Sequence, residues 1–121
     1  MKLIDQWDLP LALKSEANDF SHWRIKDKRK QVLKMHFKLC ALRSKIIPLP
    51  VTVEFTRISP RFLDEEDNLR IAFKTVKDYV ADFLIPGKRM GQADSDKRIK
   101  WKYNQEKGKP QRFTIKYYAE D

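Results

Sequence analysis

The sequence LDEEDNL at residues 63–69 is the stretch around which the rest of the chain is organised. Four of its seven residues are carboxylates, although the formal net charge of the chain is +9. Clustered like charges repel, so folding alone gives little reason to place them together. Two interpretations are open. The stretch begins a helix, where carboxylates accept hydrogen bonds from free backbone N–H groups, or it supplies oxygen ligands to a divalent cation such as Mg²⁺.

The residues that follow predict an amphipathic helix, because apolar side chains recur at steps of three and four and so share one helical face. This apolar set is Leu69, Phe73, Val76, Val80, Phe83 and Leu84. Asp67, Ile71, Lys74 and Asp78 fall on the opposite face. Lys74 and Asp78 are four residues apart, so an ordinary surface salt bridge explains this pair nearly as well as a functional role does.

Composition narrows the class of partner. The 121 residues suit one domain, residues 1–121, and the sequence pI of about 9.7 is typical of a domain that binds a polyanion, either nucleic acid or an anionic membrane surface. No apolar run approaches the roughly 20 residues of a membrane span, so a membrane is not an expected partner. The single cysteine, Cys40, excludes an internal disulfide and fits a cytosolic location.

The remaining patterns predict an α+β fold with a mixed β-sheet, two helices packed on one of its faces, and the order β-α-β-α-β-β. A C-terminal β-hairpin is expected from two alternating segments joined by a turn that contains Gly108 and Pro110. No internal repeat or heptad pattern is evident. The predicted strands are residues 9–13, 51–56, 98–103 and 113–118, and the predicted helices are residues 24–45 and 69–84.

Basic side chains are dense in the first half of the predicted helix 24–45, and their single sign favours contact with phosphates over a merely solvated face. Phe37 and Leu39 belong to the inner face of this helix or its margins, and Trp23 is either a core anchor or a surface aromatic. The expected DNA-binding residues include this run and the later basic segments. They are Arg24, Lys26, Lys28, Arg29, Lys30, Lys88, Arg89, Arg98 and Lys100.

A second acidic cluster, DSD at residues 94–96, follows the predicted helix and a loop at residues 85–93. The helix with its acidic opening is about 18 residues long and spans roughly 27 Å, so a chain that returns through this loop would bring the second cluster beside the first. Carboxylates meeting there would hold one or two Mg²⁺ ions. Such ions lower the pKa of a bound water and stabilise charge on a phosphodiester.

Together these motifs resemble the RusA family of Holliday junction resolvases, and most closely its phage and prophage versions. The resemblance rests on LDEEDNL at 63–69, on the helix with Lys74 and Asp78, and on DSD at 94–96 leading into IKW at 99–101. It covers residues 51–118. It implies a homodimeric endonuclease that needs Mg²⁺, with Mn²⁺ as the alternative ion, uses no small-molecule cofactor, and resolves four-way DNA junctions by paired nicks in recombination and repair.

By motif position, Glu65, Asp67 and Asp96 match the catalytic acids of that family, and together with Asp94 they are the implied metal ligands. The family usually has Asp where this chain has Glu65. It has a lysine at the position of Ile71, so Lys74, one turn further on the same face, is the candidate catalytic lysine. These departures leave a weakened or inactive enzyme as an alternative.

Two further classes of function remain open. One is a non-catalytic, structure-selective DNA-binding protein of phage origin, and the other is a small ribosome- or RNA-associated protein, since basic aromatic strands bind RNA. Each reading places the chain in the cytoplasm of a bacterial host or of a phage-infected cell. A G-x-S-x-G motif and a glycine-rich phosphate loop are both absent from the sequence.

Overall fold

Four strands form one mixed sheet, and the longer helices pack on one of its faces. The computed structural model describes residues 1–13, 23–63, 69–87 and 92–120. Along the chain the elements are β1 (Lys2–Leu9), α1 (Trp23–Arg43), β2 (Val51–Ile58), α2 (Arg70–Ala72), α3 (Lys74–Leu84), a 3₁₀ turn (Ala93–Ser95), β3 (Ile99–Glu106) and β4 (Arg112–Ala119). The strand order is β1-β4-β2-β3, and β2 is parallel to β3 and antiparallel to β4. The α+β class and the mixed sheet agree with the sequence prediction.

Strand β2 lies between β4 and β3, and its sequence VTVEFTRI suits that place. Val51, Val53 and Phe55 alternate along it, and each is completely buried beneath the helices. β-Branched and aromatic side chains of this kind pack well on a pleated, covered surface. The parallel pairing of β2 with β3 requires a crossover connection, which α2, α3 and the 3₁₀ turn supply.

Aromatic rings join the helices to the sheet. The Trp7 ring on β1 makes edge contacts with Phe37 of α1, with Phe83 of α3 and with Tyr117 of β4, at centroid distances of 5.1, 5.1 and 4.9 Å. Phe55 on β2 stacks on Phe73 at 4.9 Å. Because one indole touches two helices and a neighbouring strand, Trp7 fixes the relative positions of three elements.

The predicted strand at residues 9–13 is wrong in its bounds, since β1 occupies Lys2–Leu9. Pro10 has no N–H to donate to a ladder, and the strand ends before it. The second predicted helix is divided at Phe73, whose φ of −90° and ψ of 0° separate α2 from α3. The i to i−4 bonds from Phe73 to Leu69 and from Lys77 to Phe73 continue through this point, so the predicted inner face is retained.

The two C-terminal strands are consecutive and antiparallel, but β2 lies between them, so they do not form a hydrogen-bonded hairpin with each other. Their connection passes around the end of β2. Ser59 donates its N–H to the Glu106 carbonyl and accepts from the Gly108 N–H, at 3.1 and 3.3 Å. The alternation of apolar and polar residues identified β3 and β4 as strands. It does not show that β2 lies between them in the sheet.

We expect Gly108→Ala to lower the free energy of unfolding by about 1–3 kcal/mol, the usual cost of overpacking. A Cβ at residue 108 would lie 2.8 Å from Cγ2 of Ile58, and a β-branched side chain has little rotamer freedom with which to move away. Urea denaturation measures the change. Gln111→Ala, an exposed replacement nearby, is the control, and equal midpoints for the two variants would contradict the prediction.

None of the helices in the described residues is long and apolar enough to cross a bilayer.

Candidate metal and nucleic-acid site

Asp78 on α3 and Asp94 on the 3₁₀ turn lie close enough for the negative charge of Asp94 to raise the pKa of the Asp78 carboxyl. The turn packs against α3 through Ala93, which is 1% exposed. The indole Nε1 of Trp101 on β3 donates to the Asp94 carbonyl oxygen at 3.2 Å and so fixes the turn to the sheet. The end of the crossover therefore lies beside the middle of α3, whereas the sequence predicts its return to the acidic residues 64–67 at the start of the helix, which lie outside the described residues.

Asp78 is partly shielded from solvent and lies in the field of a second negative charge. Burial raises the pKa of the Asp78 carboxyl, and the negative charge of Asp94 raises it further, against a smaller opposing effect of Lys74. A cation bound beside both carboxylates would relieve the repulsion and compensate for the lost solvation. Lys74 and Asp78 are both described, and no ion pair within 4 Å joins them in the described part of the chain, so the simple surface salt bridge is not formed.

Two cations lie over aromatic rings beside this pair. The Lys77 Nζ lies 5.2 Å from the ring centroid of Trp101, and the Arg70 Cζ lies 5.6 Å from that of Tyr103. Burial raises the pKa of the Tyr103 hydroxyl, Arg70 lowers it and Asp94 raises it. The negative charge of Asp94 therefore raises the pKa of one group on α3, Asp78, and of one group on β3, Tyr103. Sequence reasoning missed Asp78 as a member of this site, although its four-residue spacing from Lys74 was a usable signal.

Asp96 is placed beside the same turn, and its carboxylate is bound by Arg98. The Nε and Nη2 of Arg98 donate to it at 3.1 and 3.0 Å, and the Arg98 backbone N–H donates at 2.9 Å. The Asp96 side chain is 10% exposed and that of Arg98 is 54% exposed. Arg98, expected from the sequence to contact DNA, thus has a structural role in shaping the chain before β3.

The chain on both sides of the acidic stretch 64–68 is held firmly. The backbone N–H and carbonyl of Leu63 exchange two hydrogen bonds with the Gln105 side chain on β3, at 2.7 and 2.8 Å. Leu69 is 1% exposed. Near Leu63, the Arg57 side chain donates from Nη1 to the Arg61 carbonyl at 2.7 Å, and its buried Nε has no hydrogen-bond partner among the described residues.

Several predicted site residues lie outside the described residues. They are Glu65, Asp67, Lys88 and Arg89. In the described part of the chain, no group of three or more Asp, Glu, His or Cys side chains is placed to hold one metal ion. Asp78 and Asp94 are a described pair of carboxylate donors, and hard cations such as Mg²⁺ are often bound in proteins by one or two carboxylates together with water.

The basic first half of α1 borders a pocket of about 290 Å³. Lys28, Arg29 and Lys30 line it from α1, and Ile71 and Thr75 line it from the other side. Ile71 precedes Lys74 by three residues and Asp78 by seven, so this wall adjoins the helical face that carries both. Three of the predicted DNA-binding cations therefore border the same pocket as this part of the helix.

The other predicted DNA contacts are dispersed. Arg24 lies with its Cζ 5.4 Å from the ring centroid of Trp23, which is 65% exposed, so the core-anchor interpretation of Trp23 is wrong. Lys26 is half-buried on α1. Lys100 pairs with Glu120 at 3.3 Å and, because side chains alternate along a strand, it lies on the sheet face opposite to Trp101.

No protein-family model, curated protein or solved structure matches this chain.

Proposed function

We propose that this chain is a Mg²⁺-dependent endodeoxyribonuclease that nicks four-way DNA junctions, as do the RusA-like resolvases that its motifs resemble. The observation that carries the proposal is the pairing of Asp78 with Asp94 on a protein of net charge +9. Bare carboxylates repel phosphate, so a protein that only binds nucleic acid gains nothing from placing them together, whereas a metal-dependent nuclease needs them.

The ligand set we propose consists of Glu65, Asp67, Asp94 and Asp96, with Asp78 as an additional carboxylate beside Asp94. A bound Mg²⁺ would lower the pKa of an attacking water and offset the charge that develops on the phosphodiester. Lys74 is exposed on the same helical face and provides a positive charge for the substrate phosphate.

The substrate would be held by cations that do not read its sequence. Lys28, Arg29 and Lys30 border the pocket next to the helix of Lys74 and Asp78, and such cations contact phosphates without base recognition. Phosphate contacts without base recognition suit an enzyme that is selective for DNA shape.

The proposed enzyme is a homodimer, because a four-way junction is nearly two-fold symmetric and two equivalent sites nick opposite strands. The cytoplasm of a bacterial host or of a phage-infected cell is the corresponding location.

A second function, non-catalytic binding of branched DNA, is favoured by a different observation. The carboxylate of Asp96 is bound by three N–H donors of Arg98, which compete with a metal ion for its oxygens. Ile71 is 38% exposed at the position where the family has a lysine. A protein of this kind would keep the basic surface of α1 and lack the hydrolytic step.

We expect the purified protein to convert a four-way junction with immobile arms into two nicked duplexes when about 5–10 mM Mg²⁺ is added, a concentration above the dissociation constants of roughly 10⁻⁴–10⁻³ M of weak divalent-cation sites. Strand-specific end labels on a denaturing gel would show nicks in opposite strands. EDTA and a linear duplex of equal length are the controls. Binding of the junction without nicks in either Mg²⁺ or Mn²⁺ would favour the second function. Preference for duplex RNA would favour an RNA-associated protein.

A further inference from the structure

Helix α1 carries a row of apolar side chains on the face that points away from the sheet. Leu33 and Phe37 are buried on its inner face. The opposite face exposes large apolar residues at steps of four, three and four, which lie above one another on a helix. This outer row consists of Met35 (55% exposed), Leu39 (46%), Leu42 (83%) and, just beyond the end of the helix, Ile46 (94%).

Leu39 was expected from the sequence on the inner face of α1 or its margin, and its exposure corrects that expectation. A single exposed leucine is ordinary, but contiguous exposed apolar residues with a polar rim mark sites of interaction with other proteins. The outer row lies on the second half of α1. It is therefore separate from the cations of the first half that we propose to contact DNA.

The outer row runs along the second half of α1. From Met35 to the end of the helix at Arg43 it covers about 12 Å at 1.5 Å per residue, and Ile46 lies just beyond that end. An amphipathic helix binds such a surface by laying its own apolar stripe along it.

Charge identifies the kind of helix that fits. Lys38 and Arg43 flank the outer row on its two sides. Asp27 is the one carboxylate in the α1 sequence, and it accepts from the Gln31 side chain at 3.0 Å. A second copy of α1 would bring cations against cations, which is unfavourable, whereas a partner with carboxylates beside its apolar stripe is complementary.

We propose that α1 binds an acidic amphipathic helix of another protein along the outer row. The carboxylates of the partner pair with Lys38 and Arg43 at the rim. This surface is independent of the nuclease chemistry, because none of its apolar residues belongs to the carboxylate pair or to the face of α3 that carries it.

The probe for this surface is a fluorescent 20-residue helical peptide with leucines at heptad positions and glutamates beside them. A second peptide has the same leucines and lysines in place of the glutamates. Fluorescence anisotropy should show the acidic peptide binding at least 10-fold more tightly than the basic one, and added salt should reduce that difference. Equal binding of the two peptides, or binding of neither, would overturn the proposal.

Variants of the exposed residues locate the contact without disturbing the core. Leu39→Ser with Leu42→Ser should weaken binding of the acidic peptide at least 10-fold, and Lys38→Glu with Arg43→Glu should shift the preference to the basic peptide. Phe62→Ser, at an apolar residue that is 55% exposed outside α1, is the matched control. If sedimentation shows a dimer that only the Leu39/Leu42 variant loses, the outer row contacts a second copy of the chain. If that variant loses junction binding, the outer row contacts DNA. Either result refutes an acidic partner.

Discussion

Asp94→Asn is expected to reduce the rate of Mg²⁺-dependent junction cleavage by about 10²–10³-fold, the size of effect seen when one preorganised electrostatic group is removed from an active site. The asparagine has nearly the same shape, so the 3₁₀ turn and its bond from Trp101, which involves the backbone of residue 94, are retained. What is lost is one negative charge beside Asp78. Junction affinity, measured in Ca²⁺ or EDTA, should stay the same or rise slightly.

The control for this variant is Asp82→Asn. Asp82 is exposed on α3 one turn beyond Asp78, and it also raises the pKa of Asp78, by less than Asp94 does. Removing it changes the net charge by the same amount, and cleavage should stay within about twofold, since surface replacements seldom alter the structure. If the two variants cleave equally, the pair of Asp78 and Asp94 has no catalytic role. Loss of cleavage in Asp67→Asn alone would then place the metal at residues 64–68.

The same pair determines the sign of the pH dependence of metal binding. The pKa of Asp78 is raised by burial and by Asp94, so this carboxyl takes up a proton at a higher pH than an ordinary aspartate does. A divalent cation binds the ionised form. Metal binding should therefore weaken on acidification earlier than at a site of unperturbed carboxylates, and Asp94→Asn should move that loss to lower pH because it removes the neighbouring charge.

Trp7→Ala is expected to lower the free energy of unfolding by about 3–5 kcal/mol, as large-to-small replacements of core aromatics do. Trp7 is 3% exposed, and its ring touches Phe37, Phe83 and Tyr117, so the cavity would open where two helices meet the sheet. Domains of this size are stable by only about 5–15 kcal/mol. The replacement would therefore remove a large part of the free energy of unfolding. Urea denaturation followed by far-ultraviolet circular dichroism measures this change.

Trp23→Ala removes the same side chain from a position that is 65% exposed. Its contact with Arg24 is a cation–π interaction at the surface, which contributes roughly 0.5–1 kcal/mol. The expected loss of stability is therefore at most about a third of that at Trp7. A comparable loss in both variants would mean that the two tryptophans do not differ as their burial indicates.

Local periodicity predicted the elements of this fold better than it predicted their arrangement. The steps of three and four from Leu69 to Val80 identified the buried face of the second helix, and Leu69, Phe73, Val76 and Val80 are all at most 1% exposed. The alternation in β2 likewise identified a strand. These patterns arise within a few residues, where the geometry of the backbone decides which side chains share a face.

Features that depend on distant parts of the chain were not predictable in the same way. The insertion of β2 between β3 and β4 is decided by packing across the whole sheet. The placement of Leu39 could not be read from spacing, because α1 has apolar residues on two faces and only the tertiary structure decides which face meets the sheet. At the site, the sequence predicted that Asp94 and Asp96 return beside residues 64–67, which lie outside the described residues, and it did not predict that Asp94 lies beside Asp78. The partnership of Asp96 with Arg98 depends on the local turn.

Strand β3 lies at the border of the sheet as the described residues form it, with β2 on one side. It supplies Trp101, whose indole fixes Asp94, and Gln105, whose amide holds Leu63. Border strands open more readily than strands enclosed on both sides, because fewer hydrogen bonds must break. Fraying of β3 would release the anchors of both acidic segments together, while β1, β4 and β2 remain paired. The free energy of local unfolding of β3, and not that of global unfolding, therefore limits how long the two acidic segments stay anchored.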